Sequence, residues 1–151
     1  MFGKFFGRPG DPRRTPRSDP AAGVDARRRS LATFDTLGQT LVATLTVATL
    51  TGPDASQLVA ELGPRVHADA EGKGTGVRHV VLDLQNVQYM DSMCIGVLVE
   101  LMTALREAGG RIALVNTAQN VEYLFKLTRL DRVFTLCRDV MKAIEAVERG
   151  G

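Results

Sequence analysis

The chain has 151 residues, 44% hydrophobic and 24% charged, the makeup of one ordinary globular domain with a core of its own. Aromatic residues make up only 5% and Trp is absent, which points to an aliphatic core. Net charge is +2 but uneven: Met1–Ser30 holds eight Lys/Arg against three Asp, which leaves the remainder at −3, a basic tail before a mildly acidic domain.

The tail, residues 1–30, carries four Pro, four Gly and many Arg, with no periodic apolar pattern. Such a segment buries too little surface to offset its ordering entropy, so it is expected to be disordered or loosely attached. Its simplest reading is a solvated tail. Phe2, Phe5 and Phe6 beside Lys4 and Arg8 also suit a weak membrane-surface anchor or a docking peptide. The start lacks the continuous apolar region of a secretory signal, and no run approaches the ~20 apolar residues of a membrane span. Cys94 and Cys137 have neither metal-ligand spacing nor a disulfide framework. Free thiols suit a reducing compartment, and the protein reads as cytoplasmic.

From Leu31 the pattern changes. "LATFDTLG" is a hairpin partner, with turn chemistry near Gly38, for the strand "QTLVATLTVATL". There Leu41, Ala43, Leu45 and Val47 alternate with Val42, Thr44, Thr46 and Ala48. "TGPDAS" is a loop ending at a helix start, which Pro53 and Asp54 suit. The helix shows Leu58, Leu62 and Val66, with a break at Gly63-Pro64. "HADAEGKGTGVR" reads as a flexible connection. "HVVLDL" is a buried strand and "NVQYMD" its exit loop. The next helix repeats Met93, Val97, Leu98, Leu101, Met102 and Leu105 and stops at Gly109-Gly110. "RIALV" is a strand, "AQNVEYLFKLTRL" a helix with Val121, Leu124, Phe125 and Thr128 on one side, and "VFTL" a short strand. Asp139 caps a last helix bearing Val140, Ala143, Ile144 and Val147. Alternating strands and helices argue for an α/β fold with largely parallel central strands.

The segment "YMDSMCIGVL" places Asp91-Ser92 where a strand meets a helix N-terminus. Unpartnered N–H groups and the helix dipole favour negative charge there. Ser92 at or near the N-cap is first of all a capping residue; a phosphate on it would face the same N–H groups beside the Asp91 carboxylate. A serine hydrolase does not fit. There is no G-x-S-x-G elbow, and neither His67 nor His79 is placed to act as a base. Cys94, in the first helical turn, could carry a lowered thiol pKa, but reads better as a small packing residue. "EGKGTG", with Lys73, lacks the P-loop pattern and precedes a strand.

"HVVLDLQNVQYMDSMCIGVLVELMTALREAGGRIALVN" closely resembles the centre of a STAS domain, the module of anti-sigma factor antagonists, and "LFKLTRLDRVFTL" resembles that family's later Leu-x-x-Thr-Gly-Leu segment. The resemblance covers about His79–Glu148 well and Leu31–Val66 only by element order. It implies a STAS domain over 31–151: a mixed sheet of about 4–5 strands with about four helices packed mainly on one face. It further implies that Ser92 is a phosphoacceptor, with Asp91, Ser92, Met93, Cys94, Ile95 and Gly96 meeting the partner. That partner would be an anti-sigma factor of the histidine-kinase-like ATPase type, a serine kinase, with a phosphatase resetting Ser92. The chain would then be a phosphorylation-controlled partner switch and not an enzyme. No cofactor, metal or specific nucleic acid is implied. Met93, Cys94, Ile95 and Arg129 stand where the family has Ser/Thr, Gly, Leu and Gly, and Ala48-Thr49-Leu50-Thr51 stands where it has an early Gly-Glu-Leu-Asp. The alternative is an unphosphorylated STAS scaffold, in a stressosome-like complex or beside a lipid transporter. A small enzyme or nucleotide-binding domain is the third reading, without a base, metal cluster or phosphate loop to support it.

Overall fold

The computed structural model describes residues 30–66 and 76–149; the expectations for the tail, and for His67 and Lys73 in the connection, lie outside them. Alternation makes both faces of the second strand apolar, and both are used. Strand β1 (Ala32–Leu37) turns at Gly38, φ +62°, into antiparallel β2 (Thr40–Leu45). Parallel to β2 run β4 (His79–Asp83), β6 (Ile112–Val115) and β7 (Thr135–Cys137), in the spatial order β1-β2-β4-β6-β7.

Helices α1 (Gly52–Leu62), α2 (Ser92–Glu107) and α3 (Gln119–Leu127) share one face of this sheet. Their Leu58, Leu62, Leu98, Leu101, Leu105, Val121 and Phe125 belong to the core that includes Leu41, Leu45, Leu82 and Leu114. Helix α4 (Val140–Arg149) takes the other face, packing Ala143, Ile144 and Val147 on Val42, Val81, Ala113 and Val115. This is the expected α/β arrangement, a five-stranded mixed sheet with four helices mainly on one side. Full burial of each large aliphatic side chain is worth about 1.5–3 kcal/mol, so the leucines of the larger core dominate its stability.

The element ends follow their local chemistry. Helix α1 stops at Leu62 and passes into a 3-10 turn, Gly63–Arg65, at the expected Gly-Pro break. Gly109 adopts φ +85°, and a Cβ on Gly110 would lie 1.9 Å from the Arg78 carbonyl oxygen, so this pair ends α2 where another residue could not. Asp139 accepts the Lys142 N–H at 2.8 Å, as a cap should. Arg129, where the family motif has Gly, is left-handed at φ +63°.

Three expectations change. "QTLVATLTVATL" is not one strand. It breaks after Leu45, and Thr49–Leu50 forms a short strand, β3, in a separate ladder. The partner is β5 (Tyr89–Met90), parallel to β3, inside the segment expected to be only an exit loop. Helix α1 begins at Gly52, so most of "TGPDAS" is helix and only Thr51 remains as its cap.

Candidate functional site

The β3–β5 ladder decides the geometry around Ser92. Thr49 pairs with Tyr89 and Leu50 with Met90, so the two strands deliver two helix starts side by side. Leu50 and Met90 are buried while Tyr89 is 55% exposed. One residue on, Thr51 caps α1 and Asp91 caps α2; the Asp91 N–H still donates to the Leu50 carbonyl, at 3.4 Å.

The two caps use different side chains. At α1 the Thr51 hydroxyl oxygen accepts the Asp54 N–H at 3.4 Å, and the Asp54 carboxylate accepts the Thr51 N–H at 3.1 Å, a reciprocal capping box. At α2 the Asp91 carboxylate accepts the Cys94 N–H at 2.8 Å. The capping expected of Ser92 therefore falls to Asp91. Ser92 is the first helical residue, exposed, with its hydroxyl outside the cap.

The six singled-out residues divide into a surface and its support. Asp91 is half-buried; Ser92, Met93 and Gly96 are exposed, Met93 to 68%. Ser92 and Gly96 are one turn apart, and a Cβ added at Gly96 would meet nothing within 4 Å. The helix face beside Ser92 is thus bare backbone. Cys94 and Ile95 lie beneath it, 0% and 6% exposed, in the core shared by α1, α2 and the sheet. Burial, followed by the Asp91 and Asp54 carboxylates, pushes the Cys94 thiol up to about 12, so it is a packed thiol. Met93 lies across the start of α1: a Cβ on Gly52 would sit 2.7 Å from Met93 Cβ.

Further residues join this end of the molecule. The Asn120 amide donates to the Gln88 carbonyl, which holds α3 against β5. On α3, Tyr123 and Leu127 are spaced from Asn120 so as to follow one outer face, 63% and 64% exposed. Sequence reasoning missed Gly52, Tyr89, Tyr123 and Leu127. Thr51-x-x-Asp54 is a readable capping signature, and Tyr123 and Leu127 fall on the opposite side of α3 from Val121 and Phe125.

His79 is buried, and its Nδ1 accepts the Arg111 N–H at 3.1 Å. Burial holds its pKa below the usual value, against the pull of Glu148 and with help from Arg78 and Arg111. It is a structural histidine on β4, whereas Ser92 opens α2. Among the described residues no group of His, Cys, Asp and Glu is arranged to hold a metal ion, and no helix is long and apolar enough to cross a membrane.

The STAS domain family model matches residues 35–143. A Thermotoga maritima protein named "putative anti-sigma factor antagonist" is 34% identical over 74 residues, covering 49% of this chain and 66% of its own length, just under two thirds. The crystal structure of a Thermotoga maritima protein with that same description superposes with a TM-score of 0.63 at 24% identity, over 78% of this chain and 94% of that one. The Bacillus cell fate determinant SpoIIAA in its phosphorylated form gives 0.56 at 19% identity, over 76% and 97%. At these identities the solved structures support the fold alone.

Proposed function

This chain belongs to the STAS domain family, and we propose that it is an anti-sigma factor antagonist working as a phosphorylation-controlled partner switch, with Ser92 as the phosphoacceptor. One observation carries the reading. Asp91 makes the cap bond, which leaves the Ser92 hydroxyl exposed on the first turn of α2 and clear of the fold's own needs. The naming of the Thermotoga maritima relative supports it.

The division of labour follows from the chemistry. The antagonist contributes a hydroxyl on a rigid helix start. A partner anti-sigma factor of the histidine-kinase-like ATPase type brings ATP and the groups that activate the hydroxyl, and a phosphatase returns the serine. Ser92 Oγ attacks the γ-phosphorus, the bond to the bridging oxygen of ADP breaks, and the hydroxyl proton leaves to a base on the partner. The new phosphate adds about −1.5 to −2 charge at pH 7. The N–H groups at the start of α2 favour that charge, while the Asp91 carboxylate opposes it. The surface around Met93 and Gly96 becomes strongly negative with little change in the fold, and a partner docked there on an uncharged serine lets go. A switch of this kind operates in the cytoplasm beside the sigma factor it frees.

Calorimetric titration with the partner ATPase tests this. Ser92→Ala keeps the affinity of the parent chain, and Ser92→Asp lowers it by tenfold or more, about 1.4 kcal/mol. Equal binding by both variants would remove the switch and leave the scaffold.

A further inference from the structure

Strands β4, β6 and β7 are parallel neighbours, so their carboxyl ends lie side by side. In open α/β sheets, ligands bind in the crevice outside such ends. A cavity of about 620 Å³ opens there, within the range of about 300–1,000 Å³ usual for small-molecule sites. Its lining comes from the residues that leave each strand: Gln85 after β4, Asn116 and Thr117 after β6, Cys137 at the end of β7 and Arg138 after it. Glu122 of α3 stands beside them.

The last residue of β4 arranges this lining from behind. Asp83 is 5% exposed, and its Oδ1 accepts the Gln85 N–H and the Asn116 side-chain N–H, both at 3.1 Å. Asn116 holds a left-handed backbone, φ +59°, and its N–H donates to the Cys137 carbonyl at 3.4 Å. That conformation is uncommon outside Gly and costs free energy, so it persists only where its surroundings enforce it. A buried carboxylate and a strained turn together fix one wall of the cavity.

The remaining polar groups are uncommitted. The Gln85 amide, the Thr117 hydroxyl and the Arg138 guanidinium bond to nothing else among the described residues, and Gln85 and Arg138 are exposed to an incoming molecule. Glu122 pairs with Lys126 at 3.4 Å, which leaves Arg138 as the unpaired charge of the lining. Its planar fork of N–H donors matches a carboxylate. Gln85, Asn116 and Thr117 also bring acceptor oxygens, which a carboxylate cannot use and a hydroxyl can.

We propose that this cavity binds a small hydroxylated monocarboxylate, of the sugar-acid type. Arg138 takes the carboxylate, and Gln85, Asn116 and Thr117 take the hydroxyls. None of these residues belongs to the first turn of α2, so the site stands independently of the role of Ser92.

Amide NMR of the full chain with D-gluconate tests the site. Gluconate in the millimolar range shifts the resonances of Gln85, Asn116, Thr117, Cys137 and Arg138 saturably. Gly38 and Gly109, at the opposite end of the sheet, stay in place. Sorbitol, with hydroxyls but no carboxylate, and inorganic phosphate, with charge but no carbon-borne hydroxyl, bind at least about tenfold more weakly. Arg138→Gln weakens gluconate binding by about tenfold or more and Thr117→Val by several-fold, and neither variant moves the urea midpoint, since neither side chain bonds within the fold. The proposal is overturned by the absence of a saturable shift with gluconate, by equal shifts with sorbitol or phosphate, or by gluconate binding unchanged in Arg138→Gln.

Discussion

Asp91 and Ser92 are neighbours with separate tasks, one holding the helix and the other presenting a hydroxyl. Their contributions to stability should therefore differ. Asp91→Ala removes the acceptor for the Cys94 N–H and costs about 1 kcal/mol. Ser92→Ala touches no cap bond and stays within about 0.5 kcal/mol of the parent. Urea unfolding of the two variants measures both; a larger loss at Ser92 would return it to the role of cap. The same pair marks the limit of sequence reading. "Asp-Ser" before an apolar helix fixes the position of the helix start to within a residue, but either side chain is a good cap. Only backbone geometry, with Asp91 extended at φ −94° and ψ 172°, assigns the role. Cys94 and Gly96 carry a related lesson. The family's glycine position holds Cys94, yet that side chain points into the core, and the bare strip beside Ser92 comes from Gly96, one turn further.

The helices α1 and α2 meet start to start, and Gly52 sets their spacing. Gly52→Ala would place a Cβ 2.7 Å from Met93 Cβ and force the two first turns apart. A cost of about 1–3 kcal/mol is expected, as for other overpacked contacts. Met93→Gly in the same chain relieves it, so a double-mutant cycle in urea gives a favourable coupling of about 1 kcal/mol or more. Additive effects would mean that the starts are not in tight contact. This pairing was not legible in the sequence. Strands β3 and β5 have two residues each, too few to show a period of two, and "NVQYMD" looks like any loop. The longer elements were legible because burial is periodic. Leu41, Ala43 and Leu45 face one core and Val42 the other, and α4 repeats Ala143, Ile144 and Val147 on one side.

Across the whole molecule, the strand-helix alternation points to a sheet with largely parallel central strands, and the structure supplies their order, β1-β2-β4-β6-β7. The element boundaries shift where a turn competes, as after Leu45. One buried ionisable group couples this fold to pH. His79 on β4 faces Glu148 from α4 and Arg78 and Arg111 from the adjoining segments, and its burial holds the folded pKa below 6.5. As pH falls through 6.5, the unfolded chain takes up a proton that the folded chain refuses. Stability therefore declines below that pH, and this decline ends once the folded imidazole also protonates. Glu148 acts in a lower window. Its carboxylate accepts the Thr40 hydroxyl at 2.7 Å and the Gln39 N–H at 3.0 Å, which lower its pKa; its contribution is present above 4.5 and fades as pH falls through the folded value. Being exposed, Glu148 contributes little. Unfolding midpoints between neutral and mildly acidic pH should show the His79 slope, flattened in His79→Gln; an unchanged slope in that variant would place the effect elsewhere.

The central claim is that the exposed hydroxyl beside the Asp91 cap receives a phosphate. Intact mass spectrometry after incubation with the partner serine kinase and ATP tests it most directly. The account predicts a gain of one phosphate, about 80 Da by the added HPO3, on the parent chain and none on Ser92→Ala. It is contradicted by no gain in the presence of a partner that demonstrably binds, or by a gain that persists without Ser92.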